Sequence, residues 1–466
     1  MTVDVLIAGA GPTGLALGID LARRNVDALV VERADGLFPG SRGKGIQPRT
    51  MEVFDDLGVL AAIRAAGGGY PTGMVWRDGR RMGEHRMSDP VEVTEDAPYN
   101  EPWMVPQWRT QEILRARLEE LGGRIAFGRE VTDLDQDASG VRVRCGDGTE
   151  LTARYAVAAD GGRSAVRRAV GVGMTGEEVD PLPTLVADVR ITGLDRDHWH
   201  LFPPRGDDQG FLTVCPLAGT EDFQVVARFP EDTAVDLSPA GVRRAVAARS
   251  HLAPDDVTEV RWASEFRPRT ALADRFRAGR VFLAGDAAHI HSPAGGQGLN
   301  TSVQDAYNLG WKLGAVLGGA DPGLLDTYQE ERRAVAAEVL GLSTRVHRGQ
   351  ERRGAATTQL DLHYRESSLA RESRTAPAGR VRAGDRAPDG TVGGVRLFDA
   401  FRGPHWTLLA LDVPAPAVPE PVRVVRGPAH PAYGPGLFLV RPDGYVGWAG
   451  DTPAGLADYT ARFGRG

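Results

Sequence analysis

Cysteine is nearly absent from this sequence. Cys145 and Cys215 are the only two in 466 residues, too few for a disulfide framework and without a partner at metal-ligand spacing, so both are read as small buried side chains. No apolar run approaches the roughly 18 residues that cross a bilayer. The N-terminus lacks the basic region and cleavage pattern of a secretory signal, so a cytoplasmic location is expected. A strong excess of one charge is missing too. Lys and Arg total 55 against 62 Asp and Glu, a net charge of −7, which favours solubility and argues against the basic face that a nucleic-acid partner needs. There is no internal repeat, no Ser-His-Asp constellation and no cluster of metal ligands. His289 and His291 stand two residues apart but have no third ligand, so they are assigned to packing or hydrogen bonding.

What is present is an ordinary globular composition, 42% apolar and 25% charged, in a chain long enough for two or three domains. Val3 to Ala8 is a short apolar run that stops at glycines, as a buried parallel strand does. Leu15, Leu17, Ile19 and Leu21 then suit a helix packed on a sheet, and Ala28 to Val31 closes a βαβ unit of about thirty residues. Arg280 to Ala284 is another buried strand, and Ser302 to Leu317 a long amphipathic helix. The stretches 71–108 and 172–272 carry alternating patterns, among them Thr184 to Arg190 and Phe223 to Phe229, which predict antiparallel strands with one wet face. Residues 346–380 are rich in Arg, Glu, Ser and Ala and read as a linker or a poorly packed excursion. Strands return at Trp406–Leu411 and Leu437–Val440. The expected organisation is α/β. A discontinuous Rossmann-like domain takes 1–70, 109–171 and 273–345, an antiparallel substrate domain takes 71–108 and 172–272, and a small third domain takes 381–466.

The chemistry is carried by glycines. Gly9-Ala10-Gly11-Pro12-Thr13-Gly14 is a G-x-G-x-x-G between strand and helix, with Glu32 at the end of the next strand. Such glycines let backbone approach a pyrophosphate, the helix N-terminus offers free N–H groups, and the acid accepts from ribose hydroxyls. The motif alone does not separate FAD from NAD. Gly285-Asp286 and the run Ser292-Pro293-Ala294-Gly295-Gly296-Gln297-Gly298-Leu299-Asn300 point to flavin. Asp286 at a strand end suits ribityl hydroxyls, and the glycines let backbone lie against a flat ring. A helix starting near Leu299 aims its positive end at that ring, where the reduced flavin carries its charge at N1 and O2.

With Ala159-Asp160-Gly161-Gly162-Arg163-Ser164, these segments resemble the three signatures of the group A flavoprotein aromatic hydroxylases, the superfamily of para-hydroxybenzoate hydroxylase and phenol hydroxylase. The likeness is strongest to the bacterial aromatic polyketide hydroxylases and covers about residues 1–345. It implies an FAD-dependent enzyme that uses NADPH or NADH and O2 to hydroxylate a polycyclic, polyketide-like aromatic through a C4a-hydroperoxyflavin. It also implies flavin contacts at Arg42 and Gln111, from Ser41–Glu52 and Trp108–Leu114, and assigns Asp160 to both FAD and NAD(P)H. As a turn, the same segment would use Ser164 as a helix cap; Arg163 and Arg167 are candidates to face phosphate. Catalytic positions are expected at Pro293, Gly295, Gly296 and Arg42. Cofactor contacts are expected across Gly9 to Gly14, at Glu32 and Arg33, and at Gly296, Gly298, Leu299 and Asn300. Trp76, Trp103 and Phe202 are expected to line the substrate slot.

The tail, through Arg382–Asp389 and Val440–Val446, resembles the thioredoxin-like domain of phenol hydroxylases. Without a C-x-x-C it has no dithiol chemistry, and packing or support of a homodimer is its expected role. No second G-x-G-x-x-G exists for a separate nicotinamide domain, so transient docking against a movable flavin is expected. The W-x-W-x-I-P element of flavin halogenases is missing. Two alternatives stay open: Baeyer–Villiger or antibiotic-inactivating chemistry of the rifamycin or tetracycline type, and a non-catalytic FAD-binding escort protein.

Overall fold

The computed structural model describes residues 2–86, 88–204, 210–418 and 421–463. Its first layer is a mixed eight-stranded sheet whose parallel core runs Val281–Leu283, Glu150–Ala158, Thr2–Ala8, Ala28–Val31 and Arg124–Ala126, with Arg277–Ala278, Val141–Cys145 and Val131–Gln136 added antiparallel. The central strand is buried on both faces, with Val5 and Ile7 wholly out of solvent, because helices cover a parallel sheet on both sides. Helix Pro12–Ala22 buries Leu15, Leu17, Ile19 and Leu21 alike, so its apolar residues surround it rather than forming a stripe. Long helices Gly298–Leu317 and Asp326–His347 complete the domain.

The second layer is a seven-stranded sheet ordered Val257–Phe266, Thr184–Ile191, Phe223–Arg228, Leu212–Pro216, His198–Phe202, Thr72–Arg77 and Arg80–His85. All neighbours are antiparallel except His198–Phe202 with Thr72–Arg77, which run parallel. One face packs Leu185, Ala187, Val189, Val214 and Val225 against Val242 and Val246 of helix Pro239–Arg249. The wet face expected for Thr184–Arg190 is not wet: Thr184, Val186 and Asp188 are buried too. Sequence alternation marked the polar side correctly, but the first domain covers it. Lys44 and Ser41 from that domain hydrogen-bond to Gln224 of the sheet.

The C-terminal domain is thioredoxin-like, a mixed sheet ordered Arg371–Glu372, Val446–Gly450, Gly436–Val440, Trp406–Leu411 and Val422–Gly427 around Leu409, Phe438 and Val440. Buried ions fasten it to the first domain. Arg441 grips Glu331 at 2.6 and 2.9 Å and Asp443 at 2.9 and 2.5 Å. Lys312 also reaches Glu331, at 2.7 Å, and Arg386 reaches Glu52 at 2.8 Å. Segment 346–380, expected to be loose, is a packed strap. Thr357, Thr358, Gln359, Tyr364 and Leu369 are buried, and Gln359 donates to Gln297 Oε1 at 2.7 Å and Thr301 Oγ1 at 3.1 Å. Few large apolar residues were needed, because amide and hydroxyl bonds hold it instead.

Candidate active site

The three glycines of the first turn meet different surroundings. Gly9 has φ +108°, and a Cβ there would meet the Ala159 carbonyl carbon at 2.7 Å. A Cβ on Gly14 would fall on the Gly9 carbonyl oxygen, well under the 3.0 Å that real Cβ atoms keep. Both serve the close packing of turn, helix and strand. Gly11 differs: its Cβ would meet nothing within 4 Å. It is the N-cap of helix Pro12–Ala22, which has no side-chain cap and no acid in its first turn. That open helix terminus is a ready site for a pyrophosphate.

Around it the site residues gather. Glu32 accepts from Ala10 N at 2.8 Å and Ala34 N at 3.1 Å, so the turn holds the carboxylate in place and leaves lone pairs for ribose hydroxyls. Gly285, at φ +63°, brings strand Val281–Leu283 against the turn; a Cβ there would meet Thr13 Oγ1 at 2.6 Å and Ser302 Oγ at 3.1 Å. Asp286 is exposed yet crowded by protein, the condition of a group on a cleft floor. Crowding raises its pKa, while His289, Arg42 and Arg269 oppose the rise. It accepts no hydrogen bond from the described residues, which fits an acceptor kept for ribityl hydroxyls. Arg42 stands over the Phe38 ring at 5.2 Å and donates to Ser264 Oγ at 3.2 Å. Burial lowers its pKa, the field of Asp286 raises it, and Arg163 and Arg33 lower it. Asp286, Arg163 and Arg33 thus lie within electrostatic range of Arg42.

Helix Gly298–Leu317 starts one residue earlier than expected, again without a side-chain cap or a first-turn acid. Gly296 has φ +63°, open to glycine at no steric cost. Pro293 is exposed, Gly295 is buried, and Gly298 and Leu299 are half-buried. Asn300, expected at the cofactor, spends its side chain elsewhere. It accepts from Gln47 N at 2.7 Å and donates to the carbonyls of Gly45 and Gly296 at 2.9 Å each, tying the 45–47 loop to the ring-side glycines. Gln111 donates to Phe38 O at 2.9 Å, and its Oε1 is buried without a partner. Asp160 Oδ2 accepts from Ala165 N and Val166 N at 2.8 and 3.2 Å, and Ser164 Oγ from Arg167 N at 2.9 Å. That segment caps helix Ala165–Ala169. Arg167 turns inward to the carbonyls of Ala287 and Gly162, away from any phosphate role.

Of the three aromatics expected in the slot, two lie on the far face of the sheet. Trp76 stacks on Phe202 with centroids 6.1 Å apart and donates to His200 Nδ1 at 3.0 Å, and Phe202 belongs to the core under helix Pro239–Arg249. Trp103 points back to Ile63 O, at 3.3 Å. Its neighbour Met104 packs with Trp199 and Cys215 on the side facing the first domain. The period of two explains the exchange: adjacent strand residues point to opposite faces.

The hydrogen-bonding role expected of His289 and His291 holds, in a buried chain behind the glycines whose Asp305 and Arg332 the sequence did not mark. Arg332 Nε donates to Asp305 Oδ1 at 2.7 Å, His289 Nε2 lies 2.5 Å from Asp305 Oδ2, and His291 Nε2 lies 2.9 Å from His289 Nδ1. With Nε2–H of His289 given to Asp305, its Nδ1 accepts from His291 Nε2–H, and the chain ends at His291 Nδ1, which is buried without a partner among the described residues. Burial holds the His291 pKa well below its ordinary value, and His289 beside it adds to the effect.

Residues 2–343 match the family model of the FAD binding domain, and residues 380–465 that of the aromatic-ring hydroxylase C-terminal domain. The chain belongs to the group A flavoprotein aromatic hydroxylases. It is an FAD-dependent monooxygenase. A flavin-dependent monooxygenase of Mycobacteroides abscessus is 45% identical over 99% of this chain and 100% of its own length. A rifampicin monooxygenase of Rhodococcus hoagii is 33% identical over 99% of this chain and 98% of its own. Among solved structures, aklavinone-11 hydroxylase with FAD and aklavinone superimposes with a TM-score of 0.83 at 29% identity, covering 99% of this chain and 97% of that one. Among the described residues no helix is long and apolar enough to cross a membrane.

Proposed function

We propose that this flavoprotein takes electrons from NADPH or NADH and hydroxylates a polycyclic, polyketide-like aromatic. The observation that carries the reading is the buried polar face between sheet and cofactor loop. It places Gln224, Asp188 and Trp199 opposite Ser41 and Lys44, on the loop that also bears Arg42. Bound FAD would supply the chemistry, accepting a hydride and activating O2 at C4a. The chain's own residues do the rest. Helix Pro12–Ala22 and Glu32 hold the adenosine diphosphate half, and Asp286 holds the ribityl chain. The N-terminus at Gly298 stabilises negative charge on the reduced ring. The covering sheet keeps water from the reacting carbon. Asp160, Arg163 and Arg33 rim the opening where a nicotinamide would dock without a domain of its own.

The rifampicin monooxygenase relative supports a second reading, attack on an antibiotic scaffold by the same cofactor. The two differ in product, not in cradle. Anaerobic mixing with NADPH checks the common part: the FAD band bleaches, and an accepted aromatic speeds the bleaching by orders of magnitude. A flavin that keeps its colour with NADPH and NADH, with or without aromatics, overturns it.

A further inference from the structure

One cross-strand row on the covered sheet face reads Trp262, Asp188, Gln224 and Cys215, each in register with the next. Trp199 packs beside Cys215. Lys44 rises into this row from the cofactor loop and is buried. Its ammonium donates to Gln224 Oε1 at 2.6 Å and lies 4.2 Å from the centre of the Trp199 ring. No carboxylate pairs with it within 4.0 Å among the described residues. Asp188, its acidic neighbour in the row, is buried with both carboxylate oxygens lacking a hydrogen-bond partner. A buried cation with one amide acceptor, beside a buried acid with none, is an incomplete polar set, and buried polar groups are normally satisfied. A cleft of about 460 Å³ adjoins it, sharing Met104 and Ala218 with the cluster of Met104, Trp199 and Cys215. That volume lies within the range of small-molecule pockets.

We propose that Lys44 is a specificity-determining residue that binds an ionised oxygen, phenolate or enolate, of the aromatic substrate. The inference rests on the hydroxylase reading and deepens it to acidic, ring-bearing substrates. Burial lowers the Lys44 pKa, and Arg353 adds to that, while Cys215 and Asp188 oppose it; an anionic ligand relieves the same strain. Burial also raises the Cys215 pKa, so the thiol stays neutral, and Asp188 makes no ion pair with Lys44 within 4.0 Å. The Trp199 face gives a flat ligand its stacking surface. Chemically, an ionised oxygen pushes electron density onto its ortho and para carbons, the nucleophiles that oxygen transfer needs. A ligand that is already an anion at neutral pH requires no proton transfer at the site.

The test uses the FAD-loaded, oxidised protein and titrates it with 2-hydroxy-1,4-naphthoquinone and with the methyl ether of that compound, read by flavin difference absorbance. The acid should bind at least tenfold more tightly than the ether. Lys44→Met should abolish that preference by weakening the acid alone, and Lys44→Arg should keep it. Equal binding of acid and ether by the natural protein, binding of neither, or an intact preference in Lys44→Met overturns the proposal. The comparison of acid with ether needs no variant, so a poorly folding Lys44→Met does not spoil it. Neither NADPH nor O2 is present. Failure here leaves the hydroxylase reading standing, whereas a flavin that NADPH cannot bleach would sink that reading without touching charge selection.

Discussion

Gly11 and Gly14 stand three residues apart in one motif, and the structure gives them opposite sensitivities. At Gly14 a methyl would fall on the Gly9 carbonyl oxygen, under 3.0 Å. The obstacle is main chain, which cannot rotate aside, so Gly14→Ala belongs at the upper end of overpacking costs, about 3 kcal/mol. For a cooperative unit of about 200 residues that lowers the melting temperature of the apoprotein by roughly 6–12 °C. At Gly11 the backbone sits at φ −72° and ψ 177°, allowed for any residue, and a methyl meets nothing within 4 Å. Gly11→Ala should therefore melt within about 1 °C of the natural protein or slightly above it, since alanine also narrows the unfolded ensemble. Its methyl, however, projects where pyrophosphate approaches the helix end. Losing one charge-assisted hydrogen bond of about 1.5–3 kcal/mol weakens FAD binding roughly 10–150-fold. Apoprotein melting by circular dichroism and FAD titration by fluorescence quenching separate the two. Unchanged FAD affinity in Gly11→Ala, or undiminished stability in Gly14→Ala, would refute this division of labour.

Asp286→Ala should lose FAD affinity about 10–150-fold while the apoprotein melts as before, because the carboxylate accepts no hydrogen bond from the described residues; a drop in apoprotein stability would assign it a structural role. Arg441→Met leaves Asp443 without its cation and Glu331 with Lys312 alone in the buried junction and should cost about 3–5 kcal/mol in urea unfolding, and a loss under 1 kcal/mol would show the junction to be incidental. Burial pushes Asp188 up to about 6 from 3.8, with the nearby Ser41 and the Lys44 charge offsetting part of the rise. The fold thus binds this proton more tightly than the unfolded chain does, so the stabilisation present below pH 4 is lost as pH rises through 6, by at most about 3 kcal/mol. Asp188→Asn should then melt above the natural protein at pH 8 and converge with it toward pH 4; a difference that ignores pH would contradict the shift.

The proposed cradle was legible because it is local. Gly9 to Gly14, Glu32 and Gly285-Asp286 each sit where a strand ends, and a strand end is written in a few consecutive residues. Glu32 and Gly285 lie where the spacing put them, against the turn. What the sequence concealed depends on which face of a strand is covered, and by what. Trp76 and Phe202 alternate correctly along their strands but face the helix side, and nothing local says which side the flavin takes. Asp188 held a usable signal. An acid inside Leu185-Val186-Ala187-Asp188-Val189 is out of place on a wet face of otherwise apolar residues, and it marked the buried row. Asn300, Gln111 and Asp160 show a different limit. They were expected at the cofactor, yet each side chain binds backbone of this chain. The strap at 346–380 looked loose because its Gln and Thr partners lie some sixty residues away in sequence.

An oxygen-activating flavin beside a covered slot for an aromatic has one decisive consequence, the fate of a single oxygen atom. The reduced enzyme should be given labelled O2 and an aromatic that speeds its reduction, and the product should be weighed by mass spectrometry. One labelled oxygen in the product, drawn from O2 and not from water, is the predicted result. Release of all the oxygen as hydrogen peroxide, with every aromatic that accelerates reduction returned unchanged, would contradict it.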